Sequence, residues 1–129
     1  MIKVPVSIES GALRFAPILA ALVFGSWAAF VNSEYGTFVL VRTGLGQGIY
    51  ALFSTWIVTR TVSEVMRLLR GHSLRFLVSF VSGFIVMVSI PLALHAALGT
   101  PKILLAIAPG VLWGSVYIVG IVWATKAQP

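Results

Sequence analysis

Four stretches of this chain carry no Asp, Glu, Lys, Arg or His: Phe15–Val31, Thr43–Thr59, Phe76–Leu94 and Ile103–Thr125. They hold 17, 17, 19 and 23 residues, close to the ~17–25 that cross ~30 Å of hydrocarbon at about 1.5 Å per helical residue. In lipid no water reaches the backbone, so an isolated apolar run must satisfy its own amides as a helix. A β-barrel would need alternating segments of about ten residues, and none is visible. Composition agrees with this reading. Apolar residues make up 59% and charged residues 9% of the 129, against roughly 45–50% and 25% in ordinary globular chains. A soluble domain could not build a charged exterior from that supply. The sequence therefore predicts one domain over 1–129, an all-α integral membrane protein with four transmembrane helices in an antiparallel up-down bundle. The spans fall at about 15–32, 38–60, 75–98 and 102–125, with a cytoplasmic extension of the second to residue 70.

The cations set the orientation. Lys3 and Arg14 precede the first span, Arg60, Arg67, Arg70 and Arg75 lie between the second and third, and Lys126 follows the fourth. Only Arg42 and Lys102 fall on the other side. Under the positive-inside rule both termini and the central loop face the cytoplasm, across the cytoplasmic (inner) membrane. Ser26-Trp27-Ala28 has the small-x-small form of a signal-peptide cleavage site, but Glu9 lies upstream and the apolar run continues past it. The first span is therefore expected to be retained. The net charge of +6 is mostly this topology signal, and no basic stripe interleaved with aromatics points to nucleic acid.

Short loops make consecutive helices antiparallel neighbours. Asn32–Gly36, Gly71–Ser73 and Gly99–Pro101 are the predicted turns, with Gly71 at a helix C′ position, Thr100 capping the fourth span and Pro101 in its first turn. Past the second span, Val62, Val65, Met66 and Leu69 recur at helical spacing, opposite Arg60, Glu64 and Arg67. That segment reads as an interfacial anchor or a partner surface carried by Arg60, Arg67, Arg70 and Arg75, each cation adding on the order of 1 kcal/mol near anionic lipid.

Residues 42–50, RTGLGQGIY, look at first like a phosphate loop. Such a loop needs a strand before it, an exposed helix start after it, and a Lys-Ser/Thr pair or a distant acid. Here a membrane span follows. At 100° per residue Gly44 and Gly48 stack along one helical stripe, in the GxxxG arrangement that lets helices approach closely in lipid. Similar small faces occur elsewhere: Pro17, Ala21, Gly25, Ala28 and Asn32 in the first span, and Ala106, Pro109, Gly110, Trp113, Gly114, Tyr117 and Gly120 in the fourth. Helix packing is accordingly assigned to Ala21, Gly25, Gly44, Gly48, Ala106, Gly110 and Gly114. Surplus small faces suit a homo-oligomer or a larger membrane-protein partner. Pro91 and Pro109 should bend their helices and free carbonyls for nearby serines to satisfy.

Beside the glycines runs a polar stripe, Thr43, Gln47, Tyr50 and Ser54, which should face Ser79, Ser82 and Ser89 on the third span and Tyr117 on the fourth. Two readings stand: interhelical hydrogen bonding, or a groove for the polar head of an amphipathic molecule. No span carries an ionisable group near its middle, where a coupling site would be expected. Small multidrug transporters match the length and span count but place a glutamate inside the first span, which this chain lacks. His72 and His95 fall on opposite sides, His95 reading as an interfacial residue bonded to headgroups or a loop carbonyl. Arg42 and Glu34 read as an outer-rim ion pair, and Trp27, Tyr35, Tyr117 and Trp123 as interface or packing aromatics. Without cysteine, paired carboxylates or a nucleophile–base set, no catalytic residue, metal or cofactor is predicted. The expected role is a non-enzymatic accessory or scaffold subunit, or an oligomer, among membrane lipids. The alternative is a non-ion-coupled carrier or flippase of a lipid-like or amphipathic small molecule.

Overall fold

The computed structural model describes residues 12–126; Lys3 and Glu9, used in the charge and signal arguments, lie outside them. Four α-helices make up the fold: α1 (Ala12–Val31), α2 (Thr37–Leu68), α3 (Arg75–Ala97) and α4 (Ile103–Lys126). A single 3₁₀ turn, Ser33–Tyr35, links the first two. No strand occurs among the described residues. Helices α3 and α4 are each long and apolar enough to cross a membrane, and α1 contains a shorter apolar run, Phe15–Val31. With 32 residues α2 is the longest, about 48 Å at 1.5 Å per residue.

Glycine marks the turns where the chain must adopt positive φ: Gly36 (96°), Gly71 (86°) and Gly99 (65°). The last closes α3 in a Schellman motif. The Thr100 amide donates to the His95 carbonyl (2.9 Å) and the Gly99 amide to that of Ala96 (3.1 Å). This closure brings the Thr100 side chain back to His95. Thr100 does not cap α4 as the sequence suggested: the helix starts only at Ile103, and the Thr100 hydroxyl pairs with the His95 imidazole. The nearest side chain bonded at the start of α4 is Asn32, whose Oδ1 accepts from the Lys102 amide (2.9 Å).

Helices α1 and α2 meet backbone to backbone. A Cβ placed on Gly25 would lie 2.9 Å from the Gly44 carbonyl oxygen and 3.2 Å from Gly48 Cα. One on Gly48 would lie 3.2 Å from the Ala21 carbonyl oxygen. The intervening Gly46 faces the other way, where a Cβ would stand 2.5 Å from Leu98 Cδ1 of the α3 cap. The α2 glycines thus serve two neighbours. On α4, Ala106 packs with Ala28 and Val31 of α1, and Gly114 makes room for Met87, whose sulfur a Cβ would meet at 2.0 Å. Gly120 has open space around it.

The lower half of α2 closes a second apolar core. Val58, Val62 and Met66 are buried with Met87 and Ile118, flanked by Phe76 and Phe80 of α3 and Ile121 and Val122 of α4. Gly83 lets Val62 in, since a Cβ there would stand 2.5 Å from Val62 Cγ2. The expected interfacial stripe is therefore corrected: Val62 and Met66 pack inside the bundle, because α3 and α4 reach the same level. The arginines remain outward. Arg60, Arg67 and Arg70 are exposed, and Arg75 is half-buried with its guanidinium 4.7 Å from the Phe76 ring. Arg67 pairs with Glu64 (2.7 Å) and holds that carboxyl below the ordinary glutamate range.

Gly25→Val should drive α1 off α2. Overpacking of a filled contact costs about 1–3 kcal/mol, so its unfolding midpoint in mild detergent should fall clearly, while Gly120→Val should leave it within error. Equal midpoints for the two variants would refute the close contact.

Candidate functional site

Most interior polar groups gather in the upper half of the bundle. Asn32, Thr43, Gln47, His95 and Thr100 are buried there and Ser79 near the other end, and an unpaired polar group in such surroundings costs about 1–3 kcal/mol. Most are paired. Asn32 Nδ2 donates to the Ala28 carbonyl (3.0 Å), one of the last of α1, and Thr43 Oγ1 of α2 lies 3.2 Å from the Leu40 carbonyl of its own helix and 3.4 Å from that of Ala28. The centre of the arrangement is His95, which is 0% exposed. Its Nδ1 lies 2.8 Å from Thr100 Oγ1 and its Nε2 lies 2.8 Å from Gln47 Oε1. A neutral imidazole has one donor and one acceptor nitrogen. With an amide oxygen at Nε2, that nitrogen carries the proton, and Nδ1 accepts from the threonine hydroxyl.

Sequence reasoning missed this role, reading His95 as an interfacial residue. Corrected, it lies on the inner face of α3, where Ser79, Gly83, Met87, Pro91 and His95 recur every fourth position and are buried. That inner face differs from the predicted serine stripe. Ser79 is on it, Ser82 flanks it and Ser89 is exposed. The reason is local. Ser79 Oγ donates to the Arg75 carbonyl (2.6 Å) and Ser82 Oγ to that of Val78 (2.7 Å), so neither hydroxyl needs a partner on another helix.

The prolines free carbonyls, but aromatic side chains satisfy them in place of the expected serines. Pro91 has no amide to offer the Met87 carbonyl one turn earlier; Tyr50 Oη donates to that oxygen from α2 (3.0 Å). Pro109 leaves the Leu105 carbonyl in the same position, and Trp27 Nε1 donates to it from α1 (2.8 Å). Both aromatics thereby become cross-helix ties.

Beneath the Gln47–His95 pair lies a cavity of about 200 Å³ to which all four helices contribute. Gln47, Tyr50 and Ser54 of α2 and Tyr117 of α4 line it, as do Phe24 of α1 and Pro91 of α3. It thus gathers three of the four α2 residues of the predicted polar stripe, together with Tyr117. Thr43 lies above it, and Ser79, Ser82 and Ser89 do not reach it. Among its lining side chains none is charged. Most of its hydroxyl hydrogens are committed: Tyr50 to Met87, Ser54 to the Ala51 carbonyl (3.1 Å), and Tyr117 to Thr59 Oγ1 (2.7 Å), which itself donates to Thr55. Gly110 also lines it, and a Cβ there would lie 3.6 Å from Gln47 Nε2.

At the outer rim, Glu34 pairs with Lys102 and not with Arg42. Arg42 instead reaches the Gly99 carbonyl (3.4 Å) and lies 5.1 Å from the Phe38 ring centre. The hydrogen bond from Lys102 holds the Glu34 carboxyl below the ordinary glutamate range. Among the described residues no three His, Asp or Glu side chains converge as a metal site would require. Compared with known proteins, the chain matches no family model, no curated protein and no solved structure.

Tyr50→Phe should cost about 1 kcal/mol by leaving the Met87 carbonyl unpaired. That cost should largely vanish in a Pro91→Ala background, where the helix supplies its own amide. A thermal double-mutant cycle measures the coupling, and additive effects would show that Tyr50 is not the proline's substitute donor.

Proposed function

We propose that this chain is a four-span protein of the cytoplasmic membrane, with both termini inside, that binds and carries a lipid-like or amphipathic small molecule without ion coupling. The observation that carries the reading is the cavity between the four helices, apolar in its walls and bordered by one buried amide. Its membrane setting is supported by the exterior. Large apolar side chains are exposed along every helix, among them Phe15, Leu22 and Phe30 on α1, Phe38, Leu45 and Trp56 on α2, Leu77 and Ile85 on α3, and Leu104, Leu112 and Trp123 on α4. In water such a surface would drive aggregation; in lipid it is solvated. The orientation rests on the arginine asymmetry. Absence of ion coupling is supported by His95, whose two ring nitrogens both meet neutral partners.

A second reading, an accessory or scaffold subunit, is favoured by a different feature. A shallow apolar groove of about 430 Å³ runs over the α1–α2 contact between Ala21, Gly25, Ala29, Gly44 and Gly48. A helix from a second copy or a larger membrane protein would approach closely there.

Two measurements test these readings. The chain has no cysteine, so His72→Cys should react with an impermeant maleimide only from the cytoplasmic side and Ser33→Cys only from outside. The opposite pattern would overturn the topology. Native mass spectrometry should find a bound lipid-like adduct on the wild type that Gly110→Leu, which fills the cavity, loses. An adduct unchanged by Gly110→Leu would sink the carrier reading, and co-purification of a stoichiometric partner protein would favour the second.

A further inference from the structure

The proposed cavity defines what kind of polar end it can receive. Gln47 is 2% exposed, and its carboxamide is held from one side only. Its oxygen faces His95 Nε2 at 2.8 Å, and His95 is fixed in turn by Thr100 at 2.8 Å. The Schellman closure of α3 holds Thr100 there. The amide nitrogen is left on the Gly110 side. Among the described residues no acceptor lies within hydrogen-bond reach of it, and Gln47 lines the cavity.

We infer that this amide NH₂ is a recognition group for an uncharged carbonyl, ether or hydroxyl oxygen at the head of an otherwise apolar ligand, and that the cavity selects against phosphate and ammonium heads. The inference rests on the carrier reading above and narrows it. The amide nitrogen lacks an acceptor, and a carbonyl-type oxygen has a lone pair to receive one of its N–H bonds. No lining side chain carries a charge, so a phosphate brought in would be desolvated without a counter-ion, which is far costlier than burying a neutral oxygen. Phe24, Trp113 and the Tyr117 ring offer apolar surface to the body of the ligand.

Three probes that share a farnesyl chain separate the cases: farnesene with no oxygen, farnesylacetone with a ketone, and farnesyl phosphate. Binding is read by native mass spectrometry and by thermal shift of the full-length chain in mild detergent. The wild type should hold farnesylacetone roughly fivefold more tightly than farnesene, the worth of one neutral hydrogen bond, and farnesyl phosphate more weakly than either. Gln47→Leu should erase the ketone's advantage. Because that variant also strips His95 of a partner, Gly110→Ser provides an independent check: its hydroxyl can accept the amide within the protein, leaving Gln47–His95–Thr100 intact, and should reduce the same advantage. Equal binding of ketone and hydrocarbon by the wild type, or tighter binding of the phosphate, would overturn the inference while leaving an amphiphile-binding cavity in place. Failure of all three probes to bind would remove the cavity reading as well.

Discussion

Inside an apolar bundle every polar group must find a partner within the protein, and that requirement organises this molecule. Two prolines each deprive a carbonyl of its usual amide. Those two oxygens, on Met87 and Leu105, are where Tyr50 and Trp27 tie α2 to α3 and α1 to α4. The worth of such a bond between membrane helices averages only about 0.6 kcal/mol. Its larger consequence is geometric. A carbonyl that can be satisfied from one direction alone fixes which residue of the neighbouring helix stands opposite it, and hence the rotation of both helices about their axes.

The same requirement explains why the polar residues are concentrated at one end. Asn32, Thr43, Gln47, His95 and Thr100 sit where α1, α3 and α4 end or begin, and helix termini supply unpaired carbonyls and amides. The Ala28 carbonyl, the Lys102 amide and the Gly99 carbonyl are such groups, answered by Asn32 and Thr43, by Asn32, and by Arg42. Towards the other end α2, α3 and α4 pack mainly through Val58, Val62, Met66, Met87 and Ile118. Between the polar and the apolar ends lies the cavity. It is bounded above by a fixed amide and below by largely apolar walls that carry the Tyr50, Ser54 and Tyr117 hydroxyls.

Much of the architecture was legible because it follows from length and charge. Four charge-free runs and three short turns gave the four helices in order, and the apolar side of α2 away from its glycines, Leu45, Ile49, Leu52, Phe53 and Trp56, is exposed. The candidate site was legible only in part. Following hydroxyls along α3 led to Ser82 and Ser89, but a helical serine can bond its own helix at the preceding turn, so a hydroxyl does not report which face is inward. A stronger signal was present. Gln47 and His95 each stand 24 residues from Gly71, so an antiparallel hairpin turning there sets them level. His95 was passed over because its distance along the chain from the span's middle was taken as exposure. The Schellman closure, which draws Thr100 down over it, covers that end of the helix. Arg42 and Glu34 were paired by proximity in sequence, whereas Lys102 arrives from a loop remote in the chain.

The cavity also has a physical reason to lie between α1 and α4. Glycines bring α1 against α2 so closely that these two helices form one unit, with the Gly44 carbonyl oxygen already 2.9 Å from where a Gly25 Cβ would be. Helix α4 joins α1 through Trp27, Ala28, Val31 and Asn32, all in the upper part of α1. Lower down, Ala20 and Phe24 of α1 and Trp113 and Tyr117 of α4 line the cavity from its two sides. Small residues at Gly110 and Gly114 thin the α4 wall at that level. Met87 takes the space beside Gly114, whereas nothing nearer than the Gln47 amide stands over Gly110. The gap is therefore the remainder left when two closely tied helices meet a pair whose shape is set by prolines, and the Gln47 nitrogen borders it without a partner.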